Sequence, residues 1–248
     1  MKPPEFREIH EFGNLLRAAK KAMKGRWRYR REHAVFRLDL GRELLQIQEE
    51  LVSKTYLPSE YRTFWAYDPK KRLISAAPLR DRVVHHALIG VVGPWLERSF
   101  IYDNYACRKG KGTHLAIQKA QRCARHYAYY CHLDVVKFFD TIDLSILKKM
   151  VRKKITDPDT IWLIEKIIDF AGTGGKGVPI GNLTSQYFGN LYLDALDHFV
   201  KDEKAVRGYL RYMDDLLVFH DDRERIKEAV QEIRSEERRV GKECRSRW

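Results

Sequence analysis

The sequence predicts an α+β protein in which an antiparallel sheet is backed by helices. Two short segments with aromatic and branched residues, 208–211 and 216–219, flank an acidic pair and are typical of a β-hairpin. A third apolar segment, 130–139, is predicted to supply another strand of the sheet. Longer stretches with apolar residues at helical spacing lie before, between and after these segments.

The predicted elements follow in chain order. Residues 1–54 are predicted to be helical, residues 58–78 extended, and a strand is expected at Cys131 before the hairpin. Further helices are expected at 81–100, 113–129, 144–154, 160–170, 184–200 and from about residue 222. His85 and His86 lie inside an apolar helical stretch, where packing or capping is expected rather than metal binding.

An acidic pair joins the two strands of the predicted hairpin, in the sequence Tyr212-Met213-Asp214-Asp215. Two adjacent carboxylates in a buried hairpin repel each other, and their desolvation adds several kcal/mol. A divalent cation would resolve this conflict. The alternative is ordinary turn chemistry, because Asp tolerates left-handed backbone and often occupies hairpin tips.

A second acidic segment favours the metal site. The strand that follows Tyr130 delivers Asp134 at its carboxyl end. Two-metal phosphoryl-transfer sites need carboxylates from separate strands that converge on ions about 3.5–4 Å apart. Asp134 and the acidic pair are the minimum set for such a site. The alternative for Asp134 is a helix N-cap, a role that is assigned to Asp140 and Asp143 instead.

The charge of the chain favours a polyanionic partner. Its 248 residues include 47 Lys and Arg against 34 Asp and Glu, a formal net charge of +13. Such an excess is typical of proteins that bind nucleic acid in a salt-sensitive manner. Basic and aromatic residues interleave at 24–31, which favours either an RNA-binding strip or a solvated helix face. The strip contains Arg26, Trp27, Arg28, Arg30 and Arg31.

Membrane and zinc-binding classes are disfavoured. No stretch approaches the roughly 20 apolar residues of a membrane span, and the N-terminus lacks the apolar core of a signal peptide. The cysteines Cys107, Cys123, Cys131 and Cys244 form no Cys-x-x-Cys pair, so a zinc site is not expected. A reducing, cytoplasmic compartment is predicted.

Five ordered segments resemble motifs of the reverse transcriptase family. The segments are 70–84, 105–114, 133–140, 177–193 and 212–219. The first resembles the fingers motifs, and the second resembles the loop before the palm helix in the bacterial branch. Lys109 and Lys111 of that loop are expected to contact nucleic acid. The resemblance covers about residues 55 to 230, and the order of its motifs makes it specific.

The resemblance implies a polymerase right-hand fold with fingers and an antiparallel palm sheet, and with the thumb missing. Residues 1–54 are then an N-terminal helical basic region, and 55–128 the fingers and lead-in helices. The palm is expected at 129–233, with finger helices inserted at about 144–176. In the family a primer-gripping hairpin and a helical thumb follow, and these do not fit in the residues that remain. Feeble or absent processive synthesis is therefore expected.

The segment 234–248 is predicted to be foreign to the protein. It breaks abruptly from the helical pattern before it and resembles the translation of a sequencing adapter, which would cut the natural reading frame after Ile233. A genuine basic tail is the alternative. The segment is therefore left out of the predicted fold.

The resemblance assigns roles to the acidic residues. Asp134 and Asp214 match the metal ligands of the family, with the backbone carbonyl of Val135 as a further ligand, and two Mg²⁺ ions are implied. Asp215 matches the second member of the pair, which supports the site more loosely. Neighbouring side chains on a strand point to opposite faces, so only one of the pair can aim squarely at the metal.

Other positions match nucleotide contacts. Phe139 falls where the family places an aromatic ring against the sugar, so a preference for deoxynucleotides is expected, with core packing as the alternative. Lys71 and Arg72 match the fingers residues that hold the triphosphate. Arg suits that task because its planar guanidinium pairs two phosphate oxygens at once.

The segment 177–186 carries the subfamily information. Most bacterial relatives, group II intron enzymes among them, have Gln-Gly and Ser-Pro where this chain has Ile180-Gly181 and Ser185-Gln186. The pattern resembles reverse transcriptases of diversity-generating retroelements, which copy a template repeat with errors at adenines. Ile180 offers only shape to the nucleotide, which lowers discrimination, and Gly181 permits close backbone approach. Gln186 is expected in the same site. An intron, retron or phage-defence enzyme is the alternative.

The implied partners are a template RNA, a cDNA or RNA primer, dNTPs and, for this branch, a small basic accessory protein. A bacterial or phage-encoded gene is implied. Two other classes of function are open. A metal nuclease also uses paired carboxylates but needs neither a sugar-facing aromatic nor the fingers Lys-Arg pair. A catalytically idle RNA-binding scaffold has no reason to keep three costly carboxylates.

Overall fold

The computed structural model describes residues 2–24, 31–67, 71–172, 174–239 and 244–247. The helices are α1 (Phe6–His10), α2 (Phe12–Ala22), α3 (Arg31–Leu38), α4 (Leu40–Val52), α5 (Leu79–Glu97), α6 (Thr113–His126), α7 (Leu144–Lys154), α8 (Pro158–Ala171), α9 (Leu183–Tyr192), α10 (Asp194–His198) and α11 (Arg223–Arg239). The strands are β1 (Arg62–Tyr67), β2 (Lys71–Ala76), β3 (Tyr129–Val135), β4 (Gly208–Tyr212), β5 (Asp215–His220) and β6 (Cys244–Arg247). The α+β class predicted from the sequence is confirmed.

Two compact units divide the chain. The first comprises Met1–Leu96, Val151–Gly172 and Val178–Ser185, and the second comprises Glu97–Met150, Thr173–Gly177 and Gln186–Trp248. No helix within the described ranges is both long and apolar enough to cross a membrane.

The first unit is mainly helical. Its apolar stripes bury Leu15 on α2 and Leu44, Ile47 and Leu51 on α4, and these two helices pack together. The region before residue 54 is helical as predicted, although residues 25–30 lie outside the described part of the chain. The predicted extended segment is the β1–β2 hairpin, whose strands pair antiparallel.

Asp157 anchors α8 within the first unit. Its carboxylate accepts a hydrogen bond of 3.0 Å from the Thr160 N–H, as an N-cap does, and another of 3.0 Å from the Phe6 N–H. Pro158 follows the cap at the first helical position, where its fixed φ suits the helix. One side chain thus starts α8 and ties it to α1.

The second unit contains an antiparallel sheet with strand order β4–β5–β3–β6. Helix α6 packs on β4 and β5, and α11 packs on β3 and β5. The side of the sheet below α6 holds a small apolar cluster that includes Tyr105, Leu210 and Phe219. The predicted antiparallel sheet backed by helices is present in this unit.

One predicted helix is interrupted. The stretch expected to be helical at 184–200 consists of α9, a break at Leu193, α10 and a π-helical turn over Phe199–Glu203. Asp194 and Asp197 of α10 lie in the interior, where Asp197 pairs with Arg211.

The expected end of the last helix is also wrong. Helix α11 continues past Ile233 to Arg239, and β6 pairs antiparallel with β3. Ile226, Val230 and Ile233 form the buried stripe of α11, and the Glu and Arg residues that follow are good helix formers. The foreign origin of segment 234–248 stays a prediction.

Candidate active site

The acidic pair lies at the tip of a hairpin, as predicted. Strand β4 ends at Tyr212 and β5 begins at Asp215, so Met213 and Asp214 are the two turn residues. Met213 has a φ of 57°, and a positive φ at the first turn position is a feature of tight type II′ hairpin turns. For a residue other than Gly this backbone costs about 1–3 kcal/mol. The turn therefore depends on support from its surroundings.

The Met213 side chain supplies part of that support. It is buried, and it lies beside Gly189 of α9. A Cβ atom at Gly189 would lie 3.3 Å from Met213 Sδ and 2.9 Å from Phe138 Cε1. Because Gly189 has no side chain, the helix can approach the turn closely, and both neighbours pack against its backbone.

Asp134 lies inside β3, opposite the acidic hairpin. Strands β3 and β5 pair antiparallel with Asp134 directly across from Asp215, and directly opposed residues share one face of a sheet. The backbone N–H of Val135 donates to the Asp214 carbonyl over 3.3 Å. The three predicted catalytic carboxylates therefore belong to one end of the β3–β5 pair, and Asp134 is not a helix N-cap.

Asp215 already has a partner. Its Oδ1 atom lies 2.8 Å from His132 Nε2, and His132 precedes Asp134 by two residues on the same face of β3. The Asp215 side chain is about half exposed, at 54 %. A carboxylate that is exposed and bound to a neighbouring side chain suits the looser supporting role that was predicted for it.

No three His, Cys, Asp or Glu side chains in the described part of the chain come close enough together to hold a metal ion. The aspartates share one end of the sheet, and the Asp215 carboxylate is bonded to His132. Their chemistry nevertheless fits Mg²⁺, which prefers oxygen ligands and binds through one or two carboxylates together with substrate phosphates. Magnesium binding by Asp134, Asp214 and the Val135 carbonyl stays a prediction.

Adjacent phenylalanines after β3 have different surroundings. Phe138 is buried against α9, whereas Phe139 is only partly buried and starts a 3₁₀ turn that spans Phe139–Thr141. The two rings meet edge to face with centroids 5.2 Å apart. Phe138 thus does the core packing, which leaves the Phe139 ring available for the predicted contact with a sugar.

Lys71 and Arg72, which were predicted to hold the triphosphate, are the first residues of β2, and both are exposed. Lys71 Nζ lies 4.4 Å from the centroid of the Trp65 ring and 5.8 Å from that of Tyr67. Lys71 pairs with Tyr67, whereas Arg72 pairs with Ala66, so the two cations project from opposite faces of the hairpin. Their role at the triphosphate stays a prediction.

Ile180 and Gly181 lie against β2 in the first unit. The Ile180 carbonyl accepts a 2.8 Å hydrogen bond from the Ser75 N–H. Gly181 has a φ of 115°, and a Cβ atom there would lie 2.7 Å from Ile74 Cγ2. Glycine is therefore required for both its backbone conformation and its approach to β2.

Gln186 belongs to the second unit, where its Oε1 accepts a hydrogen bond of 3.2 Å from the Cys107 thiol. Cys107 adopts a left-handed backbone with a φ of 56°. The predicted nucleotide contacts thus divide between the units. Lys71, Arg72, Ile180 and Gly181 belong to the first unit, and Phe139 and Gln186 to the second.

The predicted nucleic-acid contacts are placed only in part. Arg26, Trp27, Arg28 and Arg30 lie outside the described residues. Arg31 is exposed at the start of α3, and Lys109 is exposed in its loop. Lys111 Nζ donates to the Tyr102 carbonyl over 2.9 Å and lies 3.2 Å from the centroid of the Tyr102 ring.

A buried cluster under the acidic turn was not predicted. Arg211 of β4 is fully buried and pairs with the equally buried Asp197 of α10. Burial alone would lower the pKa of Arg211, but the attraction of Asp197 and the hydrogen bonds between them raise it above its usual range. The one signal in the sequence is a basic residue inside an otherwise apolar strand, which also fits an exposed strand position.

A sheet whose central strands bring three aspartates to one end is a fold and site that suit a nucleotidyl-transfer enzyme. The sequence profile of the family described as reverse transcriptase (RNA-dependent DNA polymerase) matches residues 67–245. The chain therefore belongs to the reverse transcriptase family.

Three similar proteins are YkfC, whose name states no function, and two proteins named for introns. Protein YkfC of Escherichia coli (strain K12) is 29% identical over 189 residues, covering 69% of this chain and 49% of that protein. The group II intron-encoded protein LtrA of Lactococcus lactis subsp. cremoris is 22% identical over 209 residues, covering 79% of this chain and 35% of LtrA. Nuclear intron maturase 1 of Arabidopsis thaliana is 26% identical over 92 residues, covering 37% of this chain and 13% of the maturase. The chain spans about half, or less, of these relatives.

Proposed function

We propose that this chain contains the catalytic palm of an RNA-directed DNA polymerase that copies a template RNA into cDNA. The observation that carries the proposal is the placement of Asp134 opposite Asp215, with the Val135 N–H bonded to the Asp214 carbonyl. Two strands thereby present carboxylates at one sheet end, in a chain that belongs to the reverse transcriptase family.

In the proposed reaction Asp134 and Asp214 hold two Mg²⁺ ions, with Asp215 and the Val135 carbonyl in support. When bound, the ions neutralise phosphate charge and activate the attacking hydroxyl group. The carboxylates provide fixed negative charge at the place where the ions bind, and their positions on two hydrogen-bonded strands limit how far they can move apart. His132 orients Asp215 through the 2.8 Å contact between them.

Nucleotide selection is assigned to the surrounding residues. Phe139 excludes a 2′-hydroxyl by contact with the sugar, which favours dNTPs. Lys71 and Arg72 bind the triphosphate, and Ile180, Gly181 and Gln186 lie beside the nucleotide. Lys109, Lys111, Arg31 and the basic residues at 26–30 contact template RNA or the primer, in keeping with the excess of positive charge.

For the subfamily, we propose the error-prone enzyme of a diversity-generating retroelement. The pairs Ile180-Gly181 and Ser185-Gln186 support this assignment, and a small basic accessory protein is then the expected partner. An intron-encoded reverse transcriptase is the second candidate, because LtrA and the maturase among the similar proteins are named for introns.

The proposal is tested by single-nucleotide incorporation on a primed RNA template with dNTPs and Mg²⁺. The unmodified chain should extend the primer by one nucleotide. Asp134→Asn and Asp214→Asn should each lower the rate about a thousandfold, since metal ions contribute several kcal/mol of transition-state stabilisation. Asp215→Asn should cost less, because its carboxylate is exposed and already bonded to His132.

Asp39→Asn is the matched control, with the same chemical change at an exposed aspartate that makes no capping hydrogen bond. It should leave incorporation unchanged. Shortening of the RNA without primer extension would indicate a nuclease instead. Binding of the template without any incorporation, unaffected by Asp214→Asn, would indicate an idle RNA-binding scaffold.

A further inference from the structure

We propose that Arg211 and Asp197 form a positioning pair that fixes the Met213–Asp214 turn, and with it the carboxylate of Asp214. The proposal deepens the function proposed above and depends on it for its catalytic consequence. All residues concerned belong to the second unit. Neither member of the pair is predicted to touch a nucleotide or a metal ion.

The two charges neutralise each other inside the protein. Arg211 Nε donates to Asp197 Oδ1 over 2.7 Å, and Nη2 donates to Asp197 Oδ2 over 2.6 Å. Both side chains have 0 % exposure. The Tyr209 hydroxyl group also donates to Asp197 Oδ1, over 2.7 Å. The guanidinium is thereby held in one orientation by a bidentate contact.

The remaining guanidinium hydrogens are directed at backbone and amide oxygens. Nη1 donates to the Met213 carbonyl over 2.9 Å and to Asn190 Oδ1 over 3.2 Å, and Nη2 donates to the Asn190 carbonyl over 3.3 Å. Together with the two bonds to Asp197, these contacts use all five N–H donors of the side chain. A lysine has three donors on a flexible stem and cannot reproduce the set.

The bond to the Met213 carbonyl acts on the peptide unit that joins Met213 to Asp214. Met213 is the residue with the left-handed backbone, so the bond offsets part of the cost of that conformation. Fixing this carbonyl fixes the plane of the peptide unit, and therefore the direction in which Asp214 continues. The Asp214 carbonyl in turn accepts the hydrogen bond from the Val135 N–H.

An ion pair that served only stability would not selectively change the hydrogen bonding of the Met213–Asp214 turn. Replacement of a buried pair by apolar residues is often neutral for stability, so stability alone cannot reveal positioning. The Val135 amide reports the turn directly, because its acceptor is the Asp214 carbonyl. The amides of Tyr105 and Arg211 serve as an internal control, since they bond to the carbonyls of Arg211 and Asp103 beside the same side chain.

The experiment measures amide hydrogen exchange and Mn²⁺ binding in Arg211→Lys and in the double variant Asp197→Leu with Arg211→Met. We expect exchange at Val135 to accelerate about tenfold, while the amides of Tyr105 and residue 211 stay protected. Mn²⁺ affinity, followed by electron paramagnetic resonance, should fall about tenfold. In primer extension, kcat should fall while the KM for dNTP stays within about twofold.

The double variant removes both charges together. If Arg211→Lys does not fold, amide exchange at Val135 in the double variant tests the proposal. Unchanged exchange at Val135 in a folded variant would overturn the proposal, as would equal acceleration of all three amides. If Val135 responds as expected but the unmodified chain incorporates no nucleotide, the positioning pair stands and the proposed polymerase function fails.

Discussion

His85 lies on α5 with less than 2 % of its surface exposed, and neither ring nitrogen has a hydrogen-bond partner among the described residues. Burial lowers its pKa to about 3, and burial together with nearby cations lowers that of His86 to about 4. The sequence predicts helix packing for this pair rather than a metal site, and the structure confirms packing for His85.

The free energy of unfolding should therefore decrease as the pH is lowered. An unfolded histidine has a pKa of about 6.5, so below that pH the unfolded chain binds a proton that folded His85 excludes down to about 3. The contribution of His85 to the free energy of unfolding is fully present above about pH 6.5. It is lost on acidification, by about 1.4 kcal/mol per pH unit for one such residue. Urea unfolding at pH 7 and pH 5, followed by tryptophan fluorescence, measures the difference.

His85→Leu should flatten this dependence on pH. The control His114→Leu, at an exposed residue of α6, should leave it unchanged. Identical slopes for both variants and the unmodified chain would mean that His85 is accessible to protons in the folded state.

Single residues also mark the limit of what the sequence predicts. Asp134, Asp214 and Asp215 can be identified because they fall at strand ends in ordered motifs. Arg211 cannot, because a lone basic residue in a strand fits an exposed position equally well. Its charge is compensated by Asp197 of α10, a residue distant from β4 in any local sequence pattern.

At the scale of elements, the start of α7 is set by one aspartate. Asp143 Oδ1 accepts hydrogen bonds from the Ser145 N–H at 2.9 Å, the Ser145 hydroxyl group at 2.6 Å and the Ile146 N–H at 3.1 Å. These bonds lower the pKa of Asp143. The predicted capping role is confirmed for Asp143, whereas Asp140 lies within the 3₁₀ turn rather than at a helix start.

Asp143→Ala should lower the free energy of unfolding by about 1 kcal/mol, the usual value of an N-cap. The difference in unfolding free energy between the two proteins should be full at neutral pH. It should disappear as the pH falls through the lowered pKa, because the Asp143 carboxylate of the unmodified chain is then protonated and caps the helix poorly. Chemical unfolding of both proteins at pH 7 and pH 2 checks the difference. Asp140→Ala, an exposed change in the preceding turn, should have little effect at either pH.

The elements that agree with prediction are those with a clear local signal. The hairpins, α6, α7 and α8 follow from strand or helix periodicity together with turn and capping residues. The break at Leu193 has no such signal, because residues 184–200 keep a helical pattern throughout. The Arg211–Asp197 pair that follows the break is a contact between two elements, which no local pattern encodes.

At the scale of the whole molecule, the fold class and the order of the motifs could be predicted, but the grouping of residues into compact units could not. The first unit joins the N-terminal helices, the β1–β2 hairpin and two later segments of the chain. Such grouping arises from long-range packing, whereas periodicity describes only neighbours in sequence.

The accuracy of the proposed copying reaction belongs to the scale of the whole molecule. From the proposed retroelement assignment we expect misincorporation by this chain to be concentrated opposite template adenines, with the apolar Ile180 side chain lowering discrimination at the nascent pair. Incorporation of correct and incorrect nucleotides opposite each base of a defined RNA template, one nucleotide at a time, measures the error spectrum. Ile180→Gln should reduce adenine errors about tenfold, the effect of one added hydrogen bond of about 1.4 kcal/mol.

Ile180→Leu preserves the apolar character and should keep the adenine errors. The backbone conformation of this segment should be unchanged in both variants, because the Ser75 N–H donates to the backbone carbonyl of residue 180, whatever its side chain. Errors spread evenly over all four template bases would favour the intron-encoded alternative.

Strand β3 carries Asp134 and has β5 on one side and β6 on the other. Cys244–Arg247 thus covers a row of backbone donors and acceptors that would otherwise be open to solvent along residues 132–135. An uncovered row of this kind recruits strands from other molecules. Residues 244–247 therefore occupy the free edge of the strand on which the proposed chemistry depends.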